Sequence, residues 1–206
     1  VPQPRGWAGV PPEERRAARR ARLVDAAFDL LGTQGWEATT VRAVCRAARL
    51  NPRYFYESFP DRDALVVAVY DRLVEDLRAG VAGAVAQAGH DLRSVVRAAV
   101  AATVGFVADD PRRGRVLYQE ALGNEALNRR RIESGLAVAE FVAAGRRDAR
   151  HRLAAAAAVG GFTEMLVAWL DGRIRVSRAR LVEVATDLFV ALARAAGADG
   201  TGAARR

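Results

Sequence analysis

The sequence predicts an all-α protein, and three observations carry that prediction. Apolar residues recur at helical spacing in nearly every segment from residue 13 onward. No run of useful length alternates apolar and polar residues as a half-buried strand would, and no repeat of about 20 to 50 residues is present. The interruptions fall at Gly, Pro, Asp and Asn, residues that start and stop helices. With 206 residues, 51% of them hydrophobic, the chain can build one large or two small domains with well-filled cores.

Residues 1–12 (VPQPRGWAGVPP) are rich in Pro and Gly and predict a flexible arm, in which Trp7 could dock elsewhere on the chain. From Glu13 to Leu31, Leu23, Ala27, Leu30 and Leu31 share one helical face. Arg15, Arg16, Arg19, Arg20 and Arg22 crowd its early turns, either as a solvated face or as an arm that seeks phosphates. Gly35 is placed as a left-handed C-cap with Trp36 folding back on it. Thr39 is the expected N-cap of a second helix whose apolar face is Val41, Val44, Cys45 and Ala48. Arg49 and Leu50 break that helix. Asn51 caps a third, and Pro52 sits at its first position, where the missing N–H costs nothing. Phe55 and Phe59 are four residues apart and point inward, leaving Arg53, Tyr54 and Tyr56 off the buried face. Two short helices around a tight break have the linear form of a helix-turn-helix.

Pro60 ends the third helix and Asp61 caps a fourth, from about 62 to 80, with Leu65, Val66, Val69, Leu73 and Leu77 inward and Gly80 and Gly83 weakening its end. Further helices are expected from about 90 to 108 and from Pro111 to about 122. A long one at 125–149 has Leu127, Ile132, Leu136, Val138 and Phe141 as its apolar residues. The last two are expected at 152–171 and 178–196, and residues 198–206 form a flexible tail.

The formal net charge is +8, and all 32 basic residues are arginine. Such a surface is either simply solvated or suited to an anionic partner. The one cysteine, Cys45, permits no internal disulfide, fits a reducing cytoplasm and is expected as a small core residue. No apolar run reaches the roughly 18 to 20 uncharged residues of a membrane span, so no membrane partner is expected. His90 and His151 stand alone, outside any metal-ligand spacing. There is no Gly-rich phosphate loop and no nucleophile elbow. These absences argue against an enzyme and predict neither metal nor cofactor.

Residues 20 to 65 resemble the DNA-binding domain of the TetR (tetracycline repressor-like) family of bacterial transcriptional regulators. The matching pieces are Ala26-Ala27, Leu30-Leu31, Gly35-Trp36, Thr39-Thr40-Val41, Val44-Cys45, Ala48, Phe55-Tyr56, Phe59, and Asp61-Arg62-Asp63 with Leu65, in order and without a gap. The resemblance implies a three-helix DNA-binding domain over residues 13–63. It also implies a helical ligand-binding and dimerisation domain over 64–197. Two departures stand out. Arg49 occupies the turn position where the family usually has Gly, which predicts a slightly different path for the turn. Arg53-Tyr54 replaces a small Gly-Thr pair, which implies a different base preference.

A recognition helix presents its first turn to base edges in the major groove. Arg53 can bond guanine O6 and N7 bidentately, with a phosphate contact as its alternative. Tyr54 could touch a thymine methyl or a phosphate. By resemblance, Tyr56 bonds a phosphate and Arg62 clamps another. Thr39, Thr40 and Arg42, at the start of the second helix, are expected phosphate anchors, and Asn51 and Pro52 complete the expected DNA-binding set. Phe162, Leu166, Leu181, Val184, Ala185, Leu188 and Leu192 form apolar faces on the last two helices, either of a bundle within the chain or, as in the family, of a four-helix dimer interface. Gly160-Gly161 within the first of these suggests close approach of another helix. Phe106, Tyr118, Phe141, Met165 and Trp169 are either core or the lining of a cavity for a hydrophobic effector. The expected function is that of a homodimeric, ligand-responsive regulator, a repressor, binding a near-palindromic double-stranded DNA operator. The alternative is a basic helical protein that coats DNA without sequence preference.

Overall fold

The computed structural model describes residues 11–143 and 148–197, apart from the side chain of Leu122. Trp7 with most of the expected arm, and the tail at 198–206, lie outside the described residues. Among those described there is no strand. The helices are α1 (Pro12–Gln34), α2 (Val41–Ala48), α3 (Pro52–Tyr56), α4 (Arg62–Ala86), α5 (Leu92–Asp109), α6 (Pro111–Gly114), a π-helical segment (Arg115–Gln119), α7 (Glu120–Gly123), α8 (Glu125–Val142), α9 (Ala149–Leu170) and α10 (Arg178–Gly197). Contacts divide the chain into two compact units, and the division falls within α4, after Val69.

The first unit closes around Leu23, Ala27, Leu31, Val44, Phe55, Phe59, Leu65 and Val66, all buried. The helical spacing in the sequence marks these residues because each short helix has only one face long enough to pack. Cys45 belongs to the same core, and burial pushes its thiol up from the ordinary value. Gly35 sits at φ 85° and ψ −178°, a region essentially open to glycine alone, and not in the left-handed cap expected of it. Its N–H closes α1 on Leu30 O and Leu31 O. The N-cap of α2 is Thr40, whose Oγ1 accepts from Ala43 N at 3.2 Å. Thr39, expected in that role, is fully buried and donates its hydroxyl to Gly35 O at 2.8 Å, locking the turn from inside. Asn51 caps α3 by accepting from Arg53 N, and Asp61 caps α4 by accepting from Ala64 N.

Arg49 adopts φ 51°, ψ 48°. The turn therefore keeps the left-handed residue that glycine would supply, rather than taking another path. It accepts about 1 kcal/mol of strain to do so.

In the second unit, α5, α9 and α10 pack around Val100, Val104, Val107, Leu166, Leu181, Val182 and Ala185. α4 runs through Gly80 and Gly83 to Ala86 instead of ending near residue 80. α6 approaches α9 closely: a Cβ on Gly114 would stand 2.8 Å from Leu170 Cδ1. The long helix expected at 125–149 ends at Val142, and its apolar face differs from the expected one. Leu127 is buried, but Ile132, Leu136, Val138 and Phe141 are exposed. α8 packs on α9 through small residues instead, Ala139 and Ala143 against Ala155 and Val159. Small side chains let two helices approach, so the face carrying the larger residues is turned out.

By length and composition alone, α9 is apolar enough to cross a membrane, although Glu164 interrupts its uncharged run, as expected from the sequence. Within the chain, only 17% of its apolar window is buried.

Candidate nucleic-acid interface

α3 is short, and its placement depends on α1. Arg16 Nη2 donates to Glu57 O at 2.6 Å, and Arg22 Nη2 donates to Ala48 O at 2.5 Å. Arg19 lies 3.7 Å from the Glu57 carboxylate, and its guanidinium covers the Tyr54 ring at 4.6 Å. The Arg20 guanidinium covers Phe59 at 4.8 Å. Four of the five arginines thought to be a solvated face or a phosphate-seeking arm are thus spent on bracing the second and third helices. Arginine suits this work because its planar head stacks on rings while its edge still donates.

On the outer side of α3, Arg53 has 83% of its side chain exposed and pairs with Glu57 one turn on, at 3.1 Å. Tyr54 and Tyr56 are exposed. Tyr56 makes an edge-on contact with the buried Phe55, 5.2 Å between centroids, while its ring remains open to solvent. Asn51 and Pro52 are exposed at the start of the helix. On α2, Thr40 and Arg42 are exposed at the N-terminal end, as is Arg46 one turn below Arg42. Arg49 is exposed in the turn. Among the described residues, no ion pair engages Arg42, Arg46 or Arg49. This strip of cations, unpaired among the described residues, has the charge that a phosphate-binding face requires.

Two of the expected DNA contacts stand in other surroundings. Thr39 is sealed inside the domain and cannot reach a phosphate in this arrangement. Arg62 lays its guanidinium on Trp36, 3.4 Å from the ring centroid. Glu57, Arg46 and Arg49 were missed in the sequence. The spacing of Arg53 and Glu57, an i, i+4 pair, is the signal that could have found the first of them.

The residues expected in the second unit sort in the same way. Phe106, Tyr118, Met165 and Trp169 gather on the α5–α9–α10 core, with Trp169 Nε1 donating to Val176 O at 3.0 Å. Phe141 does not join them, for it is 78% exposed on α8. The open cavity found in this unit, about 470 Å³, is lined elsewhere, by Leu92, Val142, His151, Ala158, Phe189 and Leu192 among others. His151 there shares a 2.6 Å hydrogen bond with Asp148, whose carboxyl is held below its usual range by hydrogen bonds from His151. Of the expected dimer residues, Leu166, Leu181 and Ala185 are buried in the chain's own core, and Phe162 packs edge-on against Phe189 at 5.8 Å. Leu188 remains exposed, and Val184 and Leu192 are partly so.

A braced, five-residue helix with an exposed polar first turn, set behind a left-handed turn and a capped partner helix, defines a helix-turn-helix DNA-binding domain. Residues 23–69 match the profile of bacterial regulatory proteins of the tetR family, so this is a TetR-family DNA-binding domain. The whole chain has the fold of such regulators. A transcriptional regulator from Pseudomonas aeruginosa PAO1 superimposes with a TM-score of 0.71 at 18% identity, over 93% of this chain and 96% of that one. A TetR-family transcriptional regulator from Syntrophomonas wolfei gives 0.72 at 13% identity, over 86% and 96%. The multidrug binding protein EbrR, complexed with imidazole, gives 0.65 at 22% identity, over 82% and 94%.

Proposed function

We propose that this chain is a homodimeric transcriptional repressor that binds a near-palindromic operator and releases it on taking up a small effector. The observation that carries the reading is the exposed first turn of α3, with Arg53 and Tyr54 outward beside the unpaired Arg42, Arg46 and Arg49. Arg53 reads a guanine after exchanging Glu57 for the base, while Thr40, Arg42 and Tyr56 hold phosphates. Phosphate contacts set register and base contacts set sequence.

Dimerisation is supported by the outer face of α9. Leu153, Ala156, Ala157, Gly160 and Gly161 follow helical spacing and are all exposed, and among the described residues nothing beyond the helix's own backbone comes within 4 Å of a Cβ built on either glycine. Each glycine costs about 1 kcal/mol against alanine in a helix, an expense that close packing of a second copy would offset. Leu188 and Ala191 continue the apolar surface on α10. Two heads at a spacing of about 34 to 36 Å, one DNA turn, would require a two-fold operator. That the structurally similar EbrR is a multidrug binding protein, crystallised with imidazole, supports a small-molecule effector.

Selection of bound sequences from a random DNA pool tests the reading. A two-fold symmetric consensus, bound at least about 1,000-fold more tightly than random DNA, is expected. A steep salt slope with no sequence preference would instead identify a DNA-coating protein.

A further inference from the structure

We propose that the effector is an organic acid, and that its carboxylate is held in the second unit by Arg131 of α8 together with the hydroxyl of Tyr118 from the π-helical segment. The inference rests on the effector-response part of the reading above and adds the chemistry of the ligand.

Three independent observations converge on these residues. Arg131 is partly buried, and its Nε is sealed from solvent with no hydrogen-bond partner in the structure. Its Nη2 donates only to the neutral Asn128 Oδ1, at 3.1 Å, and among the described residues no carboxylate pairs with it. Its neighbour Arg130, by contrast, is neutralised by Asp71 and Glu133. An orphaned buried donor on a charged group calls for a partner.

Second, Tyr118 lies within Arg115–Gln119, five residues wound as π-helix between the α-helical α6 and α7. Such widened turns are rare and occur frequently at functional sites. Third, the phenols of Tyr118 and Tyr70 adjoin this charge. Burial raises Tyr118, the neighbouring Tyr70 adds to the rise, and Arg131 opposes it. Tyr70 is likewise raised by burial, while its hydrogen bond with Ser134 and the charge of Arg131 act against the rise. Both hydroxyls therefore stay protonated and able to donate. No hydrogen bond engages the Tyr118 hydroxyl among the described residues. Tyr118, like Phe106, Met165 and Trp169, packs against the apolar core of α5, α9 and α10, so the body of an acid whose head meets Arg131 would face apolar side chains.

Differential scanning fluorimetry of the full chain tests the site, with benzoate, phenylacetate and octanoate set against benzamide and octanol. At least one acid is expected to raise Tm by about 3 °C at roughly ten times its Kd, and the neutral compounds are not. Arg131→Met should abolish that shift while keeping or raising the Tm of the free protein, since it removes an uncompensated charge. Tyr118→Phe, which keeps the ring, should weaken acid binding by about tenfold. The proposal is overturned if acids and neutral compounds behave alike, if the acid shift survives Arg131→Met, or if Arg131→Met lowers Tm while Tyr118→Phe binds acid normally. Operator affinity, read separately by fluorescence anisotropy, keeps the two readings apart. Acid binding through Arg131 that leaves DNA affinity unchanged upholds the site and removes its effector role. Absent acid binding with intact operator recognition removes the site and leaves the regulator.

Discussion

At the residue scale, Arg53 and Tyr56 divide the work of recognition. Arg53→Ala should relax preference at one base position, at a cost of about 1 to 3 kcal/mol there. Tyr56→Phe should weaken all DNA alike, because phosphates carry no sequence. Titration of the selected operator against single-base variants checks both, and equal loss on operator and random DNA for Arg53→Ala would remove its readout role. Arg49 presents a different balance. Glycine would relieve about 1 kcal/mol of left-handed strain but lose about 0.5 to 1 kcal/mol to greater freedom in the unfolded chain. Arg49→Gly should therefore change stability by less than about 0.5 kcal/mol in urea denaturation, while lowering the salt dependence of DNA binding by close to one phosphate contact.

At the element scale, α3 has five residues and cannot persist alone. It is held by its cap, by the buried ring of Phe55 and by α1. Asn51→Ala should cost about 1 kcal/mol by leaving Arg53 N unsatisfied, and amide exchange within residues 52–56 should speed up more than in α1. The arginines of α1 stack and donate across to this helix, so their charge is less available to DNA than their number suggests. Packing also decides α6. Gly114→Ala gains helix propensity, but its Cβ would meet Leu170 at 2.8 Å. Because the atom met is the end of the flexible, partly exposed Leu170 side chain, which can turn aside, the net effect should be a change of less than about 1 kcal/mol, measurable by denaturant titration.

At the scale of the whole molecule, the outward face of α9 is the decisive feature. If α9 faces only water, Gly160→Ala with Gly161→Ala should stabilise the chain by up to about 2 kcal/mol through helix propensity. If a second copy packs there, as proposed, the same pair should weaken self-association by at least about tenfold, because added methyl groups prop the helices apart. Sedimentation equilibrium across protein concentration separates the outcomes.

The sequence by itself determined the all-α class, the helix-turn-helix and its inner residues. Those depend on local signals: caps at Asn51 and Asp61, Pro52 at a first helical position, and the four-residue spacing of Phe55 and Phe59. Only the tertiary structure decided which face of each longer helix was inward. α8 and α10 are apolar on more than one side, so periodicity could not tell Ala139 from Phe141, or Leu181 from Leu188. The neighbouring helix makes that choice, through how closely two backbones can approach. The same holds for the arginines. One-dimensional spacing cannot show that Arg16, Arg19 and Arg22 turn toward α2 and α3, nor that Arg131, partly buried, has no carboxylate partner among the described residues.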